Sequence, residues 1–237
     1  MRVCHKNCVG KKREINQDRF WIDLETGLFI VADGMGGHNA GEIASSIAIR
    51  ELSNAIREGL KSDTDVSVLL RESVLKAHKA IFDNAMKHRD WRDMGTTVAI
   101  AVVQDDQVWL CHVGDSRVYL VGNDGIQKLT IDHTFVAEWV EEGRITPAEA
   151  RIHGARHGLT MALGIDDDVE PEIREVSWYN GQCILICSDG LTDMMEDSAI
   201  LQIVKEFVDP EAACTELVAQ AENRGAEDDI TVIMVCR

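Results

Sequence analysis

The chain has 237 residues, 45% of them hydrophobic, and only three prolines, so it can bury one sizeable core. No linker-like tract or repeat divides it, and we expect a single domain over residues 1–237. Asp and Glu number 41 against 24 Lys and Arg, a formal net charge of −17. Such a surface repels phosphate backbones and anionic lipids, which argues against nucleic acid and membranes as partners.

Neither hydropathy nor cysteine usage indicates export. No apolar stretch has the form of a signal peptide or approaches the about 18 residues of a membrane span, which predicts a cytoplasmic protein. The cysteine count, seven, is odd, and four lie in apolar strand-like runs where a thiol behaves as a small hydrophobe. These four are Cys111, Cys183, Cys187 and Cys236. Cys4 and Cys8 with His5 could be part of a zinc site, but no second ligand pair stands at finger spacing.

The first third of the chain predicts a hairpin followed by two long helices. The runs RFWIDL and LFIVAD predict two strands, with residues 25–27 as the turn. Apolar positions then recur at the spacing of an amphipathic helix. They are Ala40, Ile43, Ala44, Ile47, Ala48, Leu52, Ala55 and Ile56. A second helix is predicted to begin near Asp63 or Thr64 and to pack against the first.

The middle of the chain predicts strands and then an interruption. The runs TTVAIAVV, QVWLCHV, RVYLV and GIQKLT predict an antiparallel meander with turns at residues 104–106, 114–116 and 123–125. Residues at about 132–158 break this pattern, as binding loops and lids often do. Within them Thr146, Pro147 and Glu149 have the chemistry of a helix start. Trp139, at helical spacing from Phe135, is expected to pack this segment onto the body.

The carboxyl-terminal third predicts a strand in QCILICSDGL, helices over about 197–207 and 210–224, and a final strand in DDITVIMVCR. Hairpin links between most strands favour an α+β fold with antiparallel sheets over a doubly wound parallel sheet. The sequence has no glycine-rich dinucleotide fingerprint after a strand and no Walker loop, so those enzyme classes are not expected.

Four strand ends carry an aspartate next to glycine or to a second aspartate. They are Asp33 after FIVA, Asp115 after LCHVG, Asp189 after ILICS and Asp228 before ITVIMV. One such residue alone is adequately explained as a turn residue. Four together would repel each other unless cations lay between them, and hard ions such as Mg²⁺ or Mn²⁺ prefer this all-oxygen set. Arg13 could then bind phosphate oxygens, although alone it could equally be a surface charge.

Eight motifs, in order and over nearly the whole chain, resemble those of the metal-dependent Ser/Thr protein phosphatases of type 2C, in the form typical of bacterial members. They are RxxNQD at 13–18, VADGMGGHxxGE at 31–42, GTT at 95–97, GDSR at 114–117, LTxDHT at 129–134, LTxALG at 159–164, SDGL at 188–191 and DDIT at 228–231. The resemblance implies an α-β-β-α four-layer sandwich with two antiparallel sheets flanked by helix pairs. Residues at about 132–158 correspond to the flap of that family.

The resemblance also implies roles for single residues. Asp33 is expected to bridge two Mn²⁺ or Mg²⁺ ions, with the Gly34 carbonyl on the first ion and Asp189 and Asp228 on the second. Asp115, with Asp189, matches the site of a third ion. Arg13 matches the phosphate-binding arginine, and Asp18 an acid that orients the attacking water. The implied substrates are phosphorylated proteins, the implied partner a bacterial Ser/Thr kinase whose action it reverses, and the expected state a monomer.

Three positions depart from the family pattern. Met35 stands where other members carry a histidine proposed as general acid, and a thioether cannot donate a proton. The general acid could instead be His38 or a metal-bound water, and we favour the water. Gln17 replaces a frequent glutamate and could weaken outer-sphere metal binding. Asp229 replaces the usual asparagine, and we expect its carboxylate to face solvent rather than to raise metal affinity.

Several other polar residues have structural explanations. His112 alternates with apolar strand neighbours and is expected in the core, and His133 is expected to make a structural hydrogen bond. His153 and His157 lie in the flap and could contact substrate. Thr96 and Thr97 are explained as β-branched residues that open a strand.

Three other functions compete with that of a broad protein phosphatase, and the sequence favours each of them less. A phosphatase acting on an anti-sigma-factor antagonist shares the fold but usually lacks part of the arginine and flap pattern. A pseudophosphatase that binds phosphoproteins without turnover typically lacks one of the bridging aspartates, all of which are present here. A calcium-binding domain is the weakest alternative, since no Asp-x-Asp-x-Asp-Gly loop occurs.

Overall fold

A computed structural model describes residues 1–36, 40–165 and 168–237. The strands are β1 (Arg2–Cys8), β2 (Arg19–Asp23), β3 (Leu28–Ala32), β4 (Gly34–Met35), β5 (Gly95–Thr96), β6 (Val98–Gln104), β7 (Gln107–Val113), β8 (Arg117–Gly122), β9 (Gly125–Lys128), β10 (Glu172–Ser177), β11 (Cys183–Cys187) and β12 (Ile230–Cys236). The α-helices are α1 (Gly41–Gly59), α2 (Val66–Lys87), α3 (Phe135–Glu141), α4 (Pro147–Ile152), α5 (Asp189–Thr192), α6 (Asp197–Glu206) and α7 (Pro210–Asn223).

Two five-stranded antiparallel sheets form the centre of the molecule. Their strand orders are β1-β12-β11-β8-β9 and β10-β7-β6-β3-β2, and β4 pairs separately with β5. Alternate side chains of both sheets, among them Val31 and Ile186, meet in a core between the sheets. The outer face of one sheet packs against α1 and α2, and that of the other against α5, α6 and α7. The predicted α+β sandwich of four layers is therefore confirmed.

The two long helices follow the predicted pattern closely. In α1 the apolar stripe, for example Ala44, Leu52 and Ile56, is fully buried against the sheet and α2. Helix α2 begins at Val66, slightly later than predicted, because Asp65 and not Asp63 caps it. The Asp65 carboxylate accepts hydrogen bonds from the first free backbone N–H groups of the helix, as an N-cap residue does.

The predicted single meander is wrong at its centre. β6 pairs with β7 and β8 with β9, but β7 and β8 lie in different sheets. The chain crosses between the sheets at residues 114–116, where Gly114 has φ +100°. A side chain at Gly114 would in addition approach Thr97 to 2.6 Å. Local strand patterns could not distinguish this crossover from a hairpin. The crossover places Asp115 at the common edge of both sheets.

The cysteines differ from expectation at two positions. Cys183 stands directly opposite Cys236 in the β11–β12 register, and the two form a disulfide. A second disulfide joins Cys4 in β1 to Cys214 in α7, which removes Cys4 from any zinc site. Cys111 and Cys187 are buried free thiols, as expected. Sequence spacing carried no sign of these pairs because 210 and 53 residues separate their members.

The interruption at 132–158 contains α3 and α4. Thr146 and Glu149 form the predicted capping box, with Pro147 at the start of α4. Arg117 holds the base of the segment through a hydrogen bond of 2.6 Å to Asp132. Trp139 contacts the rings of Phe135 and His153, so it joins α3 to the end of α4. That it also packs the segment onto the body stays a prediction.

None of the described helices combines the length and the apolar character needed to cross a bilayer.

Candidate metal centre

All four strand-end aspartates border one cavity of about 650 Å³ at the edge shared by the two sheets. Asp33 follows β3, Asp115 lies at the crossover from β7 to β8, Asp189 begins α5 after β11, and Asp228 precedes β12. Antiparallel strands from both sheets end here, so residues far apart in sequence become neighbours.

The backbone of Asp33 is fixed by the two threonines of the GTT motif. The Thr97 N–H and the Thr96 hydroxyl both donate to the Asp33 carbonyl, at 2.9 and 2.8 Å. The Asp33 N–H donates in return to the Thr97 hydroxyl at 3.2 Å. Strand propensity alone had explained these threonines. Their second task is to hold the central carboxylate in place, and the adjacent polar pair in an otherwise apolar strand was its signal.

The carboxylates strongly perturb one another. Burial raises the pKa of Asp33 well above its usual range, and the neighbouring Asp18, Asp189, Asp115 and Asp228 raise it further. The pKa of Asp115 is also raised well above its usual range, by burial first and then by Asp189. Ionising several carboxylates that lie close together and are shielded from water costs free energy unless cations are present.

Asp18 lies beneath this group, 1% exposed. Its Oδ2 accepts hydrogen bonds from the Ser188 hydroxyl at 2.8 Å and the Thr231 hydroxyl at 2.6 Å. Its Oδ1 and Oδ1 of Asp189 are buried and accept no hydrogen bond from any described residue. Buried oxygens of this kind fit a site built to contact bound ions and their water. The donor set thus fits the divalent cations that the sequence implied.

The metal-free protein is expected to lose stability as pH rises. Burial, more than neighbouring charge, raises the pKa of Asp18 to about 7, against about 3.9 for an unperturbed aspartate. The folded state therefore binds more protons than the unfolded state between about pH 4 and about pH 7, and stability falls by at most ~4 kcal/mol from this residue. Chemical denaturation in EDTA across this range measures the slope, and excess Mn²⁺ should abolish it. A flat profile in EDTA would contradict the prediction.

Arg13 forms a bidentate pair with Asp228 at the cavity wall. Its Nε and Nη2 donate to the two carboxylate oxygens at 2.7 and 2.6 Å. This hydrogen bonding to Asp228 raises the pKa of Arg13. The predicted phosphate-binding residue and one predicted metal ligand are therefore both at the cavity, and here they bind each other.

Gly34 is packed more tightly than the sequence suggested. A Cβ at this position would lie 2.1 Å from the Gly41 carbonyl oxygen and 2.7 Å from that of Gln17. Its lack of a side chain lets the start of α1 approach the strand end. Met35 also borders the cavity. His38, one of the two candidates for the general acid, lies outside the described residues.

Asp229 is buried, so the prediction that it faces solvent is wrong. Only 1% of it is exposed, and its two oxygens accept hydrogen bonds from the N–H groups of Gly10 at 2.8 Å and Gln17 at 2.7 Å. The carboxylate therefore ties the amino-terminal loop, which carries Arg13, to the start of β12. The run of two adjacent acids before a strand gave no indication of which one points inward.

Asp229→Ala is expected to destabilise the protein by ~3 kcal/mol, because two buried N–H groups lose their acceptor. Urea denaturation in EDTA measures this change without interference from bound metal. Asp63→Ala, at an exposed position, is the matched control and should change stability by less than about 0.5 kcal/mol. Equal effects of the two substitutions would contradict this role of Asp229.

The histidines divide into structural and cavity-facing groups. His112 is buried, and its Nε2 lies 2.7 Å from the Ile131 carbonyl. His133 accepts a hydrogen bond from the Gly114 N–H at 3.1 Å, and burial lowers its pKa to about 4. Both expectations are confirmed. His153 accepts from the Ala155 N–H within the flap segment.

His157 borders the cavity, together with an acid that sequence reasoning missed. Its ring nitrogens lie 3.6 Å from the Asp189 carboxylate and 3.5 Å from that of Asp193. The proximity of the Asp189 carboxylate raises the pKa of His157. Ligand atoms of these three residues lie within 4.8 Å of one another, close enough to share a cation. Asp193 follows Asp189 by one helical turn, and that i, i+4 spacing was the available signal.

Comparison with known proteins identifies the family. Residues 10–225 match the family model for protein phosphatase 2C. The chain belongs to this family, and it is a metal-dependent protein phosphatase. It is 36% identical to the serine/threonine phosphatase stp of Listeria innocua, over 96% of this chain and 92% of the relative. It is also 36% identical to the protein phosphatase PhpP of Streptococcus pneumoniae, over 96% and 94%.

Solved structures of bacterial Ser/Thr phosphatases have the same fold as this chain. The crystal structure of the Mycobacterium tuberculosis serine/threonine phosphatase PstP/Ppp superposes with a TM-score of 0.91 at 33% identity, over 98% of this chain and 97% of that one. The catalytic domain of PstP in complex with two manganese ions gives a TM-score of 0.87 at 32% identity, over 98% and 96%.

Proposed function

We propose that the chain hydrolyses phosphoserine and phosphothreonine esters on proteins by direct attack of water. The observation that carries this proposal is the group of partly buried, mutually repelling aspartates around one cavity, with an arginine on its wall. Asp33, the Gly34 carbonyl, Asp189 and Asp228 would hold two Mn²⁺ or Mg²⁺ ions, and Asp115 with Asp189 a third. When bound, these ions would activate water for attack and offset the charge of the phosphate.

The side chains of the site have separable tasks. Arg13 would bind two phosphate oxygens through its planar guanidinium, after exchanging Asp228 for the substrate. Asp18 is held rigidly through Oδ2 by Ser188 and Thr231, so that its free Oδ1 can orient the attacking water. The whole chain would act as one catalytic domain, with residues 132–158 as a flap that contacts substrate.

No phosphoenzyme is expected. Burial raises the pKa of the Cys187 thiol to about 12, so it stays protonated and is a poor nucleophile. The Ser188 hydroxyl is 0% exposed and donates to Asp18. Neither residue can therefore replace water. In the cell the enzyme would act as a monomer and reverse the action of a Ser/Thr kinase, since both stp and PhpP are bacterial protein phosphatases.

The test is phosphate release from a phosphothreonine peptide with Mn²⁺ and with EDTA. We expect turnover with Mn²⁺ and a loss of at least about a thousandfold in EDTA. Cys187→Ala, assayed beside the wild type, should retain turnover within about threefold, and loss of turnover in this variant would support a cysteine nucleophile instead. A folded wild-type protein without turnover in any divalent cation would favour a phosphoprotein-binding module.

A further inference from the structure

The mouth of the cavity carries cations that the proposed reaction does not use. Lys12, Arg156 and Arg224 border it in addition to Arg13. Lys12 is paired with Glu227 at 2.6 Å. Arg224, by contrast, donates to two neutral groups, the Met194 carbonyl at 3.0 Å and the Gln220 side-chain oxygen at 3.3 Å. In the described part of the chain no carboxylate lies within salt-bridge distance of Arg224.

Arg156 and Arg224 border the same cavity and contact adjacent residues of its wall, Asp193 and Met194. Arg156 comes from the end of the flap, and its Nε lies 4.0 Å from the Asp193 carboxylate. Arg224 follows α7 and is anchored to the next residue, Met194. The two guanidinium groups thus contact two consecutive residues, whose Cα atoms are about 3.8 Å apart. We call Arg156 and Arg224 the rim pair.

The contacts of the rim pair lie about one helical turn from Asp189, one of the predicted metal ligands. The Asp193 N–H donates to the Asp189 carbonyl at 2.8 Å, which places Asp193 one helical turn, about 5.4 Å, beyond Asp189. Each arginine side chain is long, so the rim pair can reach a substrate farther from Asp189 than Asp193 itself lies. An extended peptide advances about 3.3 Å per residue, so the rim pair would meet side chains roughly two or three residues from the phosphorylated one.

Two guanidinium groups are suited to a bound anion. Each offers a planar fork that matches a carboxylate or a phosphate, and Arg224 is already held in position by neutral acceptors. The chain carries a net charge of −17, which disfavours the long-range approach of an acidic substrate. Local cations at the mouth are therefore needed if acidic phosphoproteins are to bind.

We propose that the rim pair is an anion subsite for a flanking residue of the substrate, and that the enzyme prefers phosphosites with an acidic side chain or a second phosphate two or three residues away. This inference rests on the proposed phosphatase function, because it concerns residues next to the hydrolysed phosphate. Arg224 provides the charge without an acidic partner, and Arg156 would exchange Asp193 for the substrate.

The test compares kcat/KM for three phosphothreonine peptides with Mn²⁺ at low ionic strength. They differ only at the positions two and three residues from the phosphothreonine, which are alanine, aspartate, or a non-hydrolysable phosphonate analogue of phosphoserine. We expect the wild type to prefer an anionic flank over alanine by about fivefold to tenfold. A preference for aspartate, for the phosphonate or for both identifies the anion, and each supports the subsite.

Arg224→Gln and Arg156→Gln should each reduce this ratio to about twofold or less. Arg50→Gln is the matched control. It removes the same charge from α1, at an exposed residue paired with Glu51 that is not among the residues bordering the cavity, and it should keep the wild-type ratio. A wild-type ratio near one, or a ratio that survives both rim substitutions, would overturn the subsite. Absence of turnover even on the alanine peptide would instead reject the phosphatase function itself.

Discussion

Asp33→Asn is expected to lower kcat by at least about a thousandfold, ~4 kcal/mol in activation free energy, while making the metal-free protein more stable. The substitution keeps the size of the side chain but removes the charge that would bridge two cations. The same charge is costly in the empty site, since burial and four other aspartates raise the pKa of Asp33 well above its usual range. Activity and stability should therefore change in opposite directions.

Two measurements separate this result from simple misfolding. In EDTA at neutral pH the melting temperature should rise by about 2–4 °C for each kcal/mol of repulsion relieved. Mn²⁺ should stabilise the wild type but have little effect on the variant. Asp83→Asn, at a half-exposed aspartate paired with Lys79, is the control and should alter neither property. A variant that is both inactive and less stable without metal would argue against charge repulsion at Asp33.

Gly34→Ala is expected to destabilise the protein by about 4 kcal/mol or more and to abolish turnover. The added Cβ would lie 2.1 Å from the Gly41 carbonyl oxygen on one side and 2.7 Å from the Gln17 carbonyl oxygen on the other. Both neighbours are backbone atoms, so neither can rotate away. To relieve the contact, the start of α1 has to separate from the strand end that carries Asp33.

Gly154→Ala provides a matched control for this clash. Within the described ranges no heavy atom lies within 4 Å of a Cβ at Gly154, and the φ of this residue is outside the left-handed range. This control should therefore be neutral or slightly stabilising, because alanine reduces the freedom of the unfolded chain. Thermal unfolding of both variants, with phosphate release as the second readout, tests the comparison. Equal stability of the two variants would show that the backbone at Gly34 has room to adjust.

Local periodicity predicted the elements well where one face is buried. The stripe from Ala44 to Ile56 indicated α1, and the capping box at Thr146 indicated α4, because both signals depend on residues within a few positions of each other. The four strand-end aspartates also indicated a shared site. Each is a short polar residue that interrupts an apolar strand, which is a local signal even when its cause lies elsewhere.

The features that the sequence did not reveal all depend on distant partners. The crossover at Gly114 requires two sheets to be stacked before it differs from a hairpin. The inward orientation of Asp229 depends on the N–H of Gly10, 219 residues away in the chain. The role of Thr97 likewise depends on Asp33, and Cys183 becomes bonded only because β11 and β12 are in register. Contacts of this kind leave no periodic trace.

The pair formed by Arg13 and Asp228 makes metal loading and phosphate capture thermodynamically linked. In the structure the Arg13 guanidinium donates two hydrogen bonds to the Asp228 carboxylate, at 2.7 and 2.6 Å. A cation that binds Asp228 has to displace the guanidinium, and a phosphate that binds Arg13 has to displace the carboxylate. Each ligand therefore prepares the site for the other, and reciprocity requires the two affinities to rise by the same factor. Positive cooperativity between an ion and an anion would then be built into a single bidentate contact.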